Sequence, residues 1–254
     1  SMFVDLTNAV NADIADEQGE GRIADESDKP SIVISDAEAV EGDYAVFNIQ
    51  LSNPSTEDVT VKLTPKAGTA LEGEDYSPEV EVLVNGVWTP VDEATIPAGA
   101  TELPARIKTT QDDIDEPVET FTLEVEVTSG NTTNPTTTGT ASILDNDGKP
   151  EIVISDSSIN EEDGVLSFVV SLSNPSSEEV TVDFATSEGT AKEITDYIAQ
   201  NGTVTFAPGE TSRIITIPVV DDSVFENPES MFVDLTNAVN ADIADEQGEG
   251  RIAD

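Results

Sequence analysis

Residues 1–25 read SMFVDLTNAVNADIADEQGEGRIAD, and residues 230–254 read the same, letter for letter. Chance does not produce an identity of that length. The sequence therefore recurs with a shift of 229 positions, from 1 to 230, and such self-similarity has to be settled before any local reading. A second correspondence lies inside that period. Ile32-Val33-Ile34-Ser35-Asp36 matches Ile152-Val153-Ile154-Ser155-Asp156, and Leu51-Ser52-Asn53-Pro54-Ser55 matches Leu172-Ser173-Asn174-Pro175-Ser176. Val59-Thr60-Val61 matches Val180-Thr181-Val182, and Asp75-Tyr76 matches Asp196-Tyr197. Two related units follow, unit A at 30–149 and unit B at 150–254, preceded at 1–29 by the last two strands and linker of an earlier repeat. The whole reads as a piece cut from a longer chain.

Within each unit the apolar residues alternate with polar ones. Phe47, Ile49 and Leu51 form one such face, Phe121, Leu123, Val125 and Val127 another, and Met231, Val233 and Leu235 a third. Ile215, Ile217 and Val219 add a further strand. A period of two means half-buried strands, and turn residues bound them at short intervals. No stretch shows a helical period. The expectation is all-β: two tandem immunoglobulin-like antiparallel sandwiches of about seven strands each, plus the N-terminal two-strand segment. Unit A is longer by a segment near 80–97, where Leu83-Val84-Asn85-Gly86-Val87-Trp88 reads as a hairpin turning at Asn-Gly.

Charge narrows the partners. Ten Lys and Arg stand against fifty-three Asp and Glu, a formal net charge of −43. Nucleic acid and anionic membrane surfaces reward basic residues and are excluded as natural partners. There is no Cys and no His, so thiol chemistry, imidazole catalysis and zinc sites are not expected. No apolar run is long enough to insert into a membrane, and the N-terminus lacks the basic and apolar regions of a signal peptide.

The acidic residues are not spread evenly. In unit A they gather at strand ends: Glu41, Asp75, the run Asp112-Asp113-Ile114-Asp115-Glu116, and Asp145-Asn146-Asp147. Unit B repeats the set as Glu161, Asp196, Asp221, Asp222, Glu226 and Asp254. Alternate loops of a sandwich share an end, so these segments are expected to converge on one tip. Carboxylates brought together without a counter-ion repel. Calcium, which takes six to eight oxygen ligands, resolves the repulsion better than magnesium. The spacing fails that of an EF-hand, and the Gly-rich nonapeptide of a calcium β-roll is missing. The bland alternative is that these side chains merely solvate the loops of an acidic protein.

A family resemblance is carried by Glu41-Gly42, by the strings Gly68-Thr69-Ala70…Asp75-Tyr76 and Gly189-Thr190-Ala191…Asp196-Tyr197, and by Ala207-Pro208-Gly209-Glu210-Thr211. It continues in Asp115-Glu116-Pro117-Val118-Glu119-Thr120-Phe121 and Ile143-Leu144-Asp145-Asn146-Asp147. Both units resemble Calx-beta domains, the modules of sodium–calcium exchanger regulatory loops and of very large RTX-type bacterial surface adhesins. The resemblance implies Ca2+ held by the first-strand Glu, the Asp of Asp-Tyr, the acidic loop and the terminal aspartates. Unit B departs at Ser223-Val224-Phe225-Glu226-Asn227, and Glu162 stands where Gly42 does.

The leading expectation is a calcium-binding extender repeat of a long extracellular adhesin or fibre, with ions stiffening the junctions between units. Its partners are calcium ions and neighbouring repeats, with head-to-tail self-association through residues 1–25 as a further outcome. A carbohydrate- or ligand-binding module using the Val80–Trp88 hairpin, with Trp88 and Tyr76 stacking on a sugar, is the second reading. A calcium-sensing regulatory module is the third. No enzyme is expected, because nothing builds a substrate cleft around the carboxylates. Residues 1–25 carry the apolar face of two strands (Met2, Val4, Leu6, then Ile23) with no sandwich of their own. They are expected either to be disordered or to exchange into unit B of a neighbouring molecule.

Overall fold

A computed structural model describes residues 2–16, 18–21 and 28–254. Met2–Asp5 (β1) and Gln18–Gly21 (β2) form a separate antiparallel hairpin. Unit A contains Ile32–Ile34 (β3), Ala37–Val40 (β4), Tyr44–Leu51 (β5), Val59–Ala67 (β6) and Tyr76–Val84 (β7). It continues with Val87–Pro90 (β8), Glu93–Ile96 (β9), Glu102–Thr109 (β10), Glu119–Ser129 (β11) and Thr136–Leu144 (β12). Its two sheets run β3-β5-β10-β7-β8 and β4-β12-β11-β6-β9. Unit B contains Glu151–Ile154 (β13), Ser157–Asn160 (β14), Val165–Leu172 (β15), Val180–Glu188 (β16) and Asn201–Phe206 (β17). Ser212–Pro218 (β18), Glu229–Val239 (β19), Asp242–Ile243 (β20) and Gln247–Ala253 (β21) complete it. Its sheets run β18-β15-β13-β20 and β14-β21-β19-β16-β17.

The alternation seen in the sequence sets the two cores. Ala45, Phe47, Ile49 and Leu51 of β5 face Phe121, Leu123 and Val125 of β11, all buried. Met231, Val233 and Leu235 of β19 close the corresponding core of unit B. Phe121 stacks on Tyr76 at 4.2 Å and meets Phe47 edge-on at 6.3 Å.

The strands outnumber the seven or so expected per unit, for two local reasons. The first strand of each unit crosses from one sheet to the other at Ser35-Asp36 and Ser155-Asp156. There the Ser35 hydroxyl oxygen accepts from Asn48 N–H (2.9 Å) in one sheet, and Asp36 Oδ1 accepts from Thr140 N–H (2.8 Å) in the other. Ser155 and Asp156 do the same with Val169 and Glu249. The repeated Ile-Ser-Asp is therefore a sheet-switching device, and it makes the pairs β4–β12 and β14–β21 parallel within otherwise antiparallel sheets. The second reason is the hairpin in unit A, where Leu83 pairs with Trp88 around Asn85 and Gly86. Both turn residues have positive φ, 52° and 80°, as a two-residue turn matched to the twist of a sheet requires.

Tyr76 is fully buried and so offers no face to a sugar. Trp88 is half-buried, with the Arg106 guanidinium 4.3 Å from its ring centre.

Residues 1–25 are ordered where they are described. The described part is an ordered hairpin whose apolar residues Met2, Val4 and Leu6 remain exposed, while unit B keeps its own copy of the strands. Ile23 lies outside the described residues.

Truncating Phe121 to Ala removes the ring shared by Tyr76 and Phe47 from the middle of unit A. Such deletions cost about 3–5 kcal/mol. Urea unfolding should show that loss in unit A while unit B, with its separate core, keeps its midpoint.

Candidate metal centres at the sandwich ends

The parallel pairing of β4 with β12 fixes the first group. Both strands end at the same level, and Glu41 N–H donates to Leu144 O (2.9 Å). Glu41 and the segment 145–147 thus leave the sheet side by side, and ligand oxygens of Glu41, Asp145 and Asp147 all lie within 4.8 Å of one another. Asp145 Oδ1 accepts from Asp147 N–H (3.1 Å). Asn146 donates to Glu41 O (3.1 Å) and to Gln111 Oε1 (2.8 Å), tying in the acidic loop. Asp147 Oδ2 is buried without a hydrogen-bond partner.

The second group is Asp75, Glu116 and Glu119, again with oxygens within 4.8 Å. The Gly-Thr-Ala string places Asp75 here. Thr69 Oγ1 accepts from Thr120 N–H (2.8 Å), and Ala70 N–H donates to Thr120 O (3.0 Å), strapping this loop to the start of β11. Gly68 allows that approach, since a Cβ there would stand 2.4 Å from Thr120 O. Gly189 is held to the same requirement by Ser230 O, also at 2.4 Å. Asp75 Oδ2 then accepts from Leu71 N–H (2.6 Å), leaving its other oxygen for the group.

The electrostatics record the crowding. Burial, then the charges of Asp112, Asp147 and Asp145, push Glu41 up to about 7. Burial, then a hydrogen bond with Asp75 and the charges of Asp75 and Glu116, push Glu119 up to about 7. Glu116 is raised by burial and by Asp75, Asp112 and Asp145, which links the two groups into one acidic tip. Asp147 is raised by burial and by Asp145 and Asp113.

Unit B repeats the second group as Asp196, Glu226 and Glu229. Glu161, Asp254 and Ile252 join them around a cavity of about 10 Å³, room for about one water-sized body. Glu161 Oε1 accepts from Asp222 N–H (2.7 Å), and Asp254 Oδ2 accepts from Glu226 N–H (3.0 Å). Glu226 is raised by burial and by Asp196, Asp222, Glu161 and Asp254.

Most of the residues singled out in the sequence therefore converge at the expected ends: Glu41, Asp75, Glu116, Asp145 and Asp147 in unit A, and Glu161, Asp196, Glu226 and Asp254 in unit B. Asp112 and Asp113 line the approach. Asp112 Oδ1 accepts from Ile114 N–H (2.8 Å), and both aspartates act on the Glu41–Asp147 group. Asp222 caps its own loop at Val224 N–H (2.6 Å). Asp221 is exposed and outside the charges that act on Glu226.

Asp115 is placed apart from the others. Its carboxylate accepts from the Ser176 hydroxyl (3.1 Å), its N–H donates to Pro175 O (3.0 Å), and its carbonyl accepts from Ser177 N–H (3.0 Å). It joins unit A to unit B instead of the acidic group, because the loop turns outward between Ile114 and Glu116. Sequence reasoning missed Glu119 and Glu229. Each lies two positions before a buried residue, Phe121 or Met231, and so on the inward face of its strand. That parity was the available signal.

The donors fit a hard dication. All are oxygens, they outnumber nearby cations, and one of them, Asp147 Oδ2, is buried facing other carboxylates with nothing to bond. Calcium accepts such crowded oxygen sets.

A family model described as the Calx-beta domain matches residues 25–147 and 145–253. Sodium/calcium exchanger 1 of Mus musculus is 43% identical over 68 residues, 26% of this chain and 7% of the exchanger. Sodium/calcium exchanger 2 of Rattus norvegicus is 42% identical over 67 residues, again 26% and 7%. The chain thus matches only a small part of the length of these relatives. Among solved structures, the apo-form Calx CBD1 domain is 24% identical, covering 42% of this chain and 98% of its own, with a TM-score of 0.40. A tetra-tandem repeat in the extending region of a large adhesion protein is 12% identical, covering 88% of this chain and 49% of its own, with a TM-score of 0.41.

Glu41 yields a pH dependence with a definite sign. Its folded-state pKa of about 7 lies above the ordinary 4.5, so the ion-free fold holds its proton more tightly than the unfolded chain does. Stability without divalent cations should fall as pH rises from about 4.5 through 7 and level off above. Glu41→Gln should reduce that fall, with Glu119 retaining its own share, read from melting curves in chelator across the window.

Proposed function

The chain belongs to the Calx-beta domain family through both of its sandwiches, and from that premise we propose that it is a calcium-binding structural repeat of a long extracellular bacterial adhesin or fibre. The ligands are Glu41, Asp145 and Asp147 with Asp75, Glu116 and Glu119 in unit A, assisted by Asp112 and Asp113. In unit B they are Asp196, Glu226 and Glu229 with Glu161 and Asp254. Calx-beta domains are binding modules, and nothing in this arrangement calls for catalysis.

One observation supports the stiffening role above the others. The loop from Asp112 to Glu119 faces two ways: Asp112, Glu116 and Glu119 crowd into the acidic tip, while Asp115 bonds to the Pro175–Ser177 loop of the next unit. An ion that orders the tip therefore orders the contact across the junction. Lys149 also lies beside Asp242, at 3.9 Å, on the same side of the joint. The repetition with a shift of 229 positions suits a rod built from copies of such joints. Two Calx-beta units in a row set the partners as calcium and neighbouring repeats.

The identity with sodium/calcium exchangers supports a second reading, a regulatory calcium sensor. Affinity separates the two. Extracellular modules bind at about 10⁻⁴ to 10⁻³ M and sensors at about 10⁻⁷ to 10⁻⁵ M. A calorimetric titration giving the weaker range supports the fibre, and the tighter range supports the sensor.

Calcium should raise the melting temperature of both units. At a hundredfold excess over its dissociation constant one site adds about 2.7 kcal/mol, provided the unfolded chain does not bind. Asp75→Asn should remove most of the gain in unit A and leave that in unit B. Melting curves that coincide in calcium and in chelator would overturn the ion-binding reading.

A further inference from the structure

Among the strands that end a sheet in units A and B, β18 stands apart. It has 7 residues, whereas the others have from 2 to 6. Short edges, charges and prolines are the usual defences of an open sheet. β18 and its neighbour β15 hold no Asp or Glu at all, in a chain with fifty-three of them. The next longest edge, β17, has its Thr205 carbonyl covered by Arg213 Nε (2.9 Å).

Unit A shows how the same strand is closed. Leu51 N–H donates to Thr101 O (2.9 Å) as Leu172 N–H donates to Thr211 O (2.9 Å). Glu102, Pro104, Arg106 and Lys108 of β10 therefore stand where Ser212, Ile214, Thr216 and Pro218 stand in β18. β10 is covered by β7, with Arg106 opposite Glu81, and β8 extends the sheet further. In unit B the corresponding chain follows β18 at one end alone. Val220 N–H donates to Asp196 O (3.0 Å) and Ile198 N–H to Pro218 O (2.9 Å), after which the chain joins the other sheet as β17. The covered strand thus carries three charges, and the open strand carries none at the matching positions.

The open stretch is defined by its hydrogen bonds. The Leu172–Thr211 and Gly164–Val219 bonds put the rungs to β15 at odd-numbered residues. The N–H and C=O groups of Ser212, Ile214 and Thr216 therefore point to the side where no strand pairs, among the described residues. On the outer face beside them, Ile214 is 64% exposed and lies opposite Val169, itself 40% exposed. Val153 and Val165 are exposed on the same sheet.

We propose that a second copy of this chain adds to β18 as an antiparallel strand, about a two-fold axis at Ile214. Ile214 then faces the partner's Ile214, and Ser212 faces the partner's Thr216, giving three rungs. Two observations favour a second copy as the occupant. The edge is complementary to itself, with a small hydroxyl residue two positions either side of Ile214. It is also a place where molecules of formal charge −43 meet without bringing an acidic side chain into the pairing. Ile198 at one end and the Ala207–Glu210 turn at the other limit the match to these rungs, so the contact is small and reversible. It is isologous and closes as a dimer. None of the proposed calcium ligands takes part.

The test is sedimentation equilibrium of the full chain up to millimolar concentration, at about 0.15 M salt, which screens charges beyond about 8 Å. Wild type should follow a monomer–dimer equilibrium with no larger species. Ile214→Lys and Ile214→Glu each set like charges opposite one another across the axis, which should weaken the dimer by about tenfold. Both should keep the melting temperature of the wild-type monomer, because the side chain is exposed. Mixing the two variants should restore association, since Lys then faces Glu. A wild type that stays monomeric overturns the self-pairing and leaves the edge to a strand of a different chain. Growth beyond the dimer overturns the two-fold arrangement. An Ile214→Lys dimer as tight as wild type, or a mixture that associates no better than either variant alone, overturns the register at Ile214.

Discussion

Repulsion among carboxylates at the sandwich ends is the constraint on which the rest of this structure turns. Glu41 and Glu119 are each pushed up to about 7, and burial leads the causes in both. A fold that gathers such groups with few basic partners loses stability as pH rises through neutrality unless cations enter. The chain has ten basic residues to set against fifty-three acidic ones. Arg106 pairs with Glu81, and Lys108 lies over Tyr44 and donates to Gly42 O, so among the described residues neither forms an ion pair with a carboxylate of the tip. The shortage of internal counter-charge is what makes an external dication the natural complement.

The scaffold around the tip is built to hold that arrangement in place. Ser35-Asp36 and Ser155-Asp156 carry the first strand from one sheet to the other, which brings Glu41 beside the end of β12. The Gly-Thr-Ala strap brings Asp75 beside the start of β11. Two rigid sheets thus deliver carboxylates to one place from strand ends far apart in sequence. The loop between Asp112 and Glu119 also carries the contact with unit B at Asp115. Local order at the tip and the geometry of the joint are therefore the same question.

Much of this was legible in the sequence because its signals are local. Alternation in Phe47-Ile49-Leu51 named the core face, Asn85-Gly86 named the turn, and the recurrence of Glu41, Asp75 and the terminal aspartates in both units named the tip. The roles of Asp115 and Glu119 were not separated by spacing. The loop turns outward at Asp115, and only strand parity with Phe121 turns Glu119 inward. Phe225 read as a departure from the family pattern. The pairing of β19 with β21 puts it at the position that Asp115 holds in unit A.

Small-angle scattering on the full chain, in calcium and in chelator, tests the coupling of tip to joint most directly. The account predicts that calcium narrows the spread of interdomain distances in the wild type. Asp115→Ala should keep its calcium-dependent stabilisation while losing that narrowing. Identical scattering of the wild type in both conditions, with calcium bound, would contradict the coupling.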